Sequence, residues 1–500
     1  MTSRSTMTVG KPHRQQVRTF AMVWAGITLM IGACTFISIY AATGVAASNN
    51  NRGLPAAAIT VKGTSTPDES TNQAADPAQA ITATTEPASV ALQITATSAP
   101  VQSQSQSQPT AATSGNQAVA PPTATIVPIK DTDFDLGIAV QDNPDPNTYK
   151  VWVDMVSKQL KLNWMKSQVS WRDVEKVKGQ IDWSAMDVAV KMMHDANVKV
   201  MLSIVKAPDW ARDKGAIINK PGQYDGPPAD PQDFANFITA VLKRYPNMVQ
   251  AIEVWNEVNL DREWSTAPQA LDPKRYVTLL KTAYDTIKAI DPNIIVITAA
   301  LSPTGASNDG RYMDDFAYFD KLVAAGMLQY ADCVGAHHNG INVPPTADYN
   351  NIPERKPRAI FRGPWDNPNH SWAFKTTLEG YEKRIQAAGS NLKLCITEFG
   401  WPSVEGLKGN LRSGFEFAKD NSLADQADFV DAAITEMQKW GFVRLAYLFN
   451  LNYGPQVGWS LDGAVGDNVP WCIIGPNFSP RPVWQKIVDR NFRGQPRKAS

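Results

Sequence analysis

From residue 131 onward, short apolar runs alternate with amphipathic stretches, the pattern of repeated strand-helix units and a parallel sheet. Eight runs read as strands: 134–140 (FDLGIAV), 162–170 (LNWMKSQVS), 198–205 (VKVMLSIV), 251–259 (AIEVWNEVN), 294–301 (IIVITAAL), 331–338 (ADCVGAHH), 392–399 (LKLCITEF) and 443–450 (VRLAYLFN). Between them, 231–245, 273–290 and 423–440 repeat apolar residues every three or four positions, as a helix with one buried face requires. Eight such units predict an α/β fold, a closed (β/α)8 barrel over 131–500, with functional positions at the C-terminal ends of its strands. The segments 207–230, 339–371, 400–422 and 451–481 follow strands 3, 6, 7 and 8 and are rich in Pro, Gly, Asn and Trp. Connections this long are either functional loops or variable surface insertions.

The first 130 residues follow another pattern. No charged residue lies between Arg18 and Arg52, and the run from Phe20 to Ala47 is mostly apolar; about 20 such residues cross a bilayer. Lys11, His13, Arg14 and Arg18 precede it, which predicts a cytoplasmic tail (1–18), a single-pass transmembrane signal anchor (19–47) and an extracytoplasmic remainder. The membrane is thus an expected partner through this helix. Two alternatives stay open: cleavage near Val45-Ala46-Ala47, giving a secreted protein, and a lipid anchor on Cys34 in Ile31-Gly32-Ala33-Cys34. The uncleaved anchor is preferred because apolar residues continue through Phe36, Ile37, Ile39 and Tyr40. Residues 48–130 are Ala, Thr, Ser, Pro and Gln with almost no aromatics; they cannot bury a core and read as a disordered linker.

Composition narrows the partners. With 48 basic and 48 acidic residues there is no overall field to draw nucleic acid, and a neutral glycan is permitted. Fifteen Trp supply flat apolar faces, although such large side chains are more often packing than platform. The four cysteines match no metal-binding or redox spacing. Cys333 and Cys395 fall within strand-like runs and read as small buried hydrophobes, with a bridge left open for an exported protein. His337, His338 and Asp332 invite a metal reading, but strand alternation sends adjacent histidines to opposite faces. No metal and no cofactor is predicted.

The chemistry concentrates at two strand ends. Ile252 and Val254 run into Trp255-Asn256-Glu257; Leu394, Cys395 and Ile396 run into Thr397-Glu398-Phe399-Gly400-Trp401. Two carboxylates facing each other across a barrel are the equipment for glycosidic cleavage, one protonating the leaving oxygen and the other attacking or activating water. A retaining pair stands about 5 to 5.5 Å apart, so residues this distant in sequence meet only if strands 4 and 7 face one another across a closed barrel. Glu257 is expected to be held protonated by apolar surroundings and by the charge of Glu398. Asn256 is placed to hydrogen-bond a sugar 2-hydroxyl. Glu253 and Glu263 read as surface or salt-bridge residues, and His194 as structural.

Strand 4 ending in Trp255-Asn256-Glu257 and strand 7 ending in Thr397-Glu398-Phe399-Gly400-Trp401 resemble clan A glycoside hydrolases, families 5 and 39 most nearly, over roughly 131–490. The resemblance implies that Glu257 is the acid/base and Glu398 the nucleophile of a retaining mechanism on an oligo- or polysaccharide. It also implies a rim histidine at His337, with Asn339 where a nucleophile-supporting Tyr is usual, and Phe449 where a Trp commonly underlies the scissile sugar. Trp401 or Trp459 would then supply the missing platform. Lys166 and Gln168 share one face of strand 2, where family 5 commonly has Arg; they fit the site or a structural polar layer. Two further readings accompany the hydrolase: a carbohydrate-binding barrel without turnover, and a transglycosylase.

Overall fold

In the computed structural model the described residues are 134–216, 224–307, 310–354, 359–463 and 466–493. The chain divides into two units, 1–117 and 118–500, and every described residue belongs to the second. The expected tail, anchor, Cys34 lipid site and linker lie outside the described residues. Among the described residues no helix is long and apolar enough to cross a membrane.

Eight parallel strands form one sheet: β1 (Asp135–Ala139), β2 (Trp164–Ser170), β3 (Lys199–Val205), β4 (Ala251–Val254), β5 (Ile295–Thr298), β6 (Val334–Asn339), β7 (Leu394–Gly400) and β8 (Val443–Leu448). Their order is β5-β4-β3-β2-β1-β8-β7-β6, and a parallel bridge between Ile297 and Cys333 joins the two ends into a barrel. Each strand is followed by its principal helix: α1 (Pro146–Asp154), α2 (Ser184–Asp195), α3 (Pro231–Arg244), α4 (Pro273–Ile290), α5 (Asp315–Ala324), α6 (Phe374–Ala387), α7 (Leu423–Trp440) and α8 (Pro482–Arg490). The starts are written locally. Asp145, Asp230 and Asp272 cap α1, α3 and α4 with a proline in the first turn, and Ser422 with Asp425 forms a capping box on α7, satisfying amides that have no helical acceptor.

Inside the barrel, Trp164, Met201, Ala251, Ile297, Cys333, Cys395, Leu445 and Tyr447 fill the lower layer, so the lumen is a packed core. Two features of this interior differ from expectation. Cys333 and Cys395 form a disulfide: the register pairs Gly335 with Cys395, which brings Cys333, two residues earlier, within reach on the neighbouring strand. Glu253 is fully buried because alternation on β4 turns it inward, away from the surface. The bridge spans 62 residues, for which closure entropy alone gives about 4 kcal/mol. The double variant Cys333→Ala, Cys395→Ala is expected to lose roughly 2–4 kcal/mol in urea unfolding; a loss below about 0.5 kcal/mol would show that the bridge constrains nothing.

Candidate active site

Strand β4 stops at Val254, five residues before the expected end, because the backbone turns left-handed at Trp255 (φ 78°) and Glu257 (φ 36°). Such conformations cost about 1–3 kcal/mol each in non-glycine residues and gather at functional sites. They are held in place from both sides. The Trp255 amide donates to the Ile204 carbonyl, the Glu257 amide to that of Ala300, and the Trp255 indole to that of Glu263. Asn259 ties the same loop to the β5 end through the Ser302 and Met313 carbonyls.

On β7 the register against β6 slips so that Ala336 pairs with Ile396 and His337 with Glu398. Thr397 is the extra residue of this bulge, and such bulges re-aim side chains beside active sites. Consequently Thr397 and Glu398 both reach the interior: the Thr397 hydroxyl donates to Glu253 Oε1 at 2.6 Å, and Glu398 Oε1 accepts from Lys166 Nζ at 3.1 Å. Strict alternation would have turned one of them outward.

One imidazole spans the two glutamates. His337 Nδ1 lies 3.2 Å from Glu257 Oε1, and Nε2 lies 4.0 Å from Glu398 Oε1. Burial alone would raise Glu257, but the hydrogen bond and charge of His337, with Arg262 and Ser302, bring it down to about 2. This corrects the expectation of a protonated Glu257. Burial opposes charge on His337 as well, yet Glu398 and Glu257 together raise it, so the proton of this cluster rests on the imidazole. Glu398 is pulled down against its own burial by Lys166, His337 and Asn339, which favours its ionised form.

The other rim residues divide. Lys166, 2% exposed, belongs to the site: besides Glu398 it donates to the Thr397 carbonyl at 3.1 Å and faces Glu253 Oε2 at 3.4 Å. Asn339 Nδ2 donates to Glu398 Oε2 at 3.1 Å, so the residue that stands in place of the expected Tyr still bonds to the strand-7 glutamate. The buried atoms Asn256 Oδ1, Asn339 Oδ1 and His337 Nε2 have no hydrogen-bond partner among the described residues, and buried polar groups normally find one. Gln168 stands half-buried on β2 with Lys166 between it and the barrel floor; it takes no part in the bonds around the carboxylates. Phe449 directly follows β8 and is joined to Asn450 by a cis peptide.

One of the two tryptophans is closed off as a platform. Trp401 is 1% exposed, its indole donates to the Val343 carbonyl, and its ring packs on Phe374 and Phe429, because the chain beyond Gly400 runs back into the helix layer. Trp459 lies over Gly454 and against Phe478, which also touches Trp152 of α1. The ring beside Phe449 is Tyr453, 5.1 Å between centroids. His337 and His338 do point apart: His338 packs edge-on against Phe374 of α6, and burial takes it down to about 4. Sequence reasoning overlooked Arg262, whose Nη2 is 3.4 Å from Glu257 Oε2, and Ser302. Glu263 is half-buried beside Glu257, and burial and that neighbouring charge raise it to about 7. The signal for Arg262 and Glu263 was their place in the short loop after Glu257.

No protein-family model and no curated protein matches the chain. Solved structures do. A family 39 glycoside hydrolase from Bacteroides cellulosilyticus is 18% identical with a TM-score of 0.48, covering 72% of this chain and 63% of its own, so the chain spans under two thirds of that protein. Xylanase 10B from Thermotoga maritima is 14% identical, TM-score 0.44, with 73% and 97% covered. A β-glucosidase from Exiguobacterium marinum is 14% identical, TM-score 0.45, with 74% and 99% covered.

Proposed function

We propose that the chain is a retaining glycoside hydrolase acting on β-linked glycans outside the cell. The observation that carries this reading is the pair Glu257 and Glu398, brought from β4 and β7 to the two nitrogens of one buried imidazole. In this reading Glu398 attacks the anomeric carbon while the His337–Glu257 pair delivers its proton to the departing oxygen. Glu257 then takes a proton from the water that releases the sugar. His337 serves as the proton reservoir: once Glu398 is esterified, the imidazole loses one of the two anions that hold its proton. Arg262 and Ser302 orient Glu257, and the Asn256 side chain meets a sugar hydroxyl. The bond from Asn339 to Glu398 argues against a barrel that binds glycans without turnover. A disulfide inside the barrel supports an oxidising, extracytoplasmic setting.

A panel of 2,4-dinitrophenyl 2-deoxy-2-fluoro-β-glycosides tests the proposal. One member is expected to inactivate the protein in a time-dependent way, adding one fluoroglycosyl unit to the peptide that carries Glu398, as seen by mass spectrometry. Labelling of another residue would move the nucleophile. No labelling, together with no hydrolysis of the parent aryl glycosides, would overturn the reading.

A further inference from the structure

Below the carboxylate pair lies a second buried ion cluster that two-glutamate chemistry does not itself require. Glu253 of β4 is 0% exposed, and its Oε1 accepts the 2.6 Å hydrogen bond from Thr397. Its Oε2 faces Lys166 Nζ at 3.4 Å and has no hydrogen bond of its own. Lys166 in turn touches Glu398. Buried ion pairs are seldom worth their desolvation as stabilisers, and apolar side chains of similar volume serve a barrel layer as well or better.

Resting on the retaining reading above, we propose that Glu253 is a positioning residue, the fixed counter-ion that keeps Lys166 charged while Glu398 carries the sugar. In the free protein Lys166 faces two carboxylates, and Glu253 and Glu398 together hold its proton against burial. When an oxygen of Glu398 bonds to the anomeric carbon, Glu398 becomes a neutral ester. Glu253 is then the carboxylate left beside Nζ among the described residues. His337, whose charge opposes that of Lys166 in the free protein, has by then given its proton to the leaving group and supplies no anion. Tyr276 of α4 and Tyr447 of β8 lie near Glu253 with phenols pushed up by burial, so they add no charge. A buried ammonium without an anion gives up its proton. With Glu253 in place it does not. In the second step the water oxygen bonds to the anomeric carbon and a water proton goes to Glu257. The bond to Glu398 breaks with its electron pair returning to the carboxylate, and Lys166 meets that charge as it develops.

The test is Glu253→Gln in the full chain, measured on a 2,4-dinitrophenyl β-glycoside that the wild type hydrolyses with breakdown of the intermediate limiting. The expected result is a kcat lowered about tenfold or more, with a larger pre-steady-state burst and kcat/KM within about threefold of wild type. The kcat profile should also gain a basic limb, absent from the wild type, as Lys166 titrates in the intermediate. Equal losses in kcat and kcat/KM with an unchanged pH profile would reduce Glu253 to a structural residue and overturn the proposal. Thr397→Val, which frees Glu253 only from its hydroxyl partner, gives a reading that does not depend on E253Q folding. There kcat falling further than kcat/KM supports the proposal, and equal falls overturn it. Failure of the wild type to form any fluoroglycosyl ester on Glu398 would instead sink the retaining mechanism, whatever the variants do.

Discussion

Replacing Glu398 by alanine is expected to abolish hydrolysis of every aryl glycoside, with a loss on the order of 10⁴-fold or more, since in the proposed mechanism the group removed forms the covalent intermediate. The structure says why this loss will not come from unfolding. Glu398 is buried between Lys166, His337 and Asn339, and its removal leaves Lys166 paired with Glu253, and His337 with Glu257. Each remaining cation keeps an anion, so no uncompensated buried charge is created. Thermal unfolding should therefore match the wild type or move upward. A folded, inactive E398A protein supports the nucleophile assignment. An E398A protein that hydrolyses glycosides at near wild-type rate would make Glu398 structural.

The same cluster shows which parts of this molecule could be read from residues in a row. Strands buried on both faces declare themselves as continuous apolar runs, and Asp-Pro pairs such as Asp230-Pro231 and Asp272-Pro273 announce helix starts, so the eight-unit order was legible. The two glutamates were legible because each ends such a run. What stayed hidden depends on register. The bulge at Thr397 turns two consecutive side chains inward, and nothing in Ile-Thr-Glu-Phe distinguishes it from an alternating strand. Glu253 sits one alternation below that layer, where a lone carboxylate in an apolar run looks the same whether it faces water or lysine. Cys333 and Cys395 meet only through the offset between β6 and β7. The protonation of Glu257 was misjudged for a related reason: its nearest partner comes from a third strand, and a cation between two carboxylates reverses the shift that two carboxylates alone would give. Trp401 was taken for a platform because an aromatic at a strand end serves packing and binding equally well.

Replacing Glu257 by alanine is expected to fail differently, and the difference assigns the roles. Loss of general acid/base help costs typically about 10²–10⁴-fold, but a dinitrophenolate leaving group needs no proton, so glycosylation of Glu398 should continue and the intermediate should accumulate. Azide, small enough to enter the space of the missing carboxylate, should then speed breakdown of the trapped ester and give a β-glycosyl azide. In Glu398→Ala the same azide enters from the vacated nucleophile side and should give the α-azide. The pH dependence sharpens the distinction. In the wild type the acid proton is held on His337, raised by Glu398 and Glu257, and it is lost as pH rises through that raised value, so kcat/KM on a substrate with a poor leaving group should fall on the basic side. Dinitrophenyl substrates, which need no proton, should show no such limb in the wild type or in Glu257→Ala. The anomers are read by proton NMR. Should they come out reversed, the strand-7 glutamate is the acid/base and the strand-4 glutamate the nucleophile; should neither variant respond to azide while both keep wild-type rates, the imidazole-bridged pair is an ion-pair network of the barrel and the hydrolase reading falls with it.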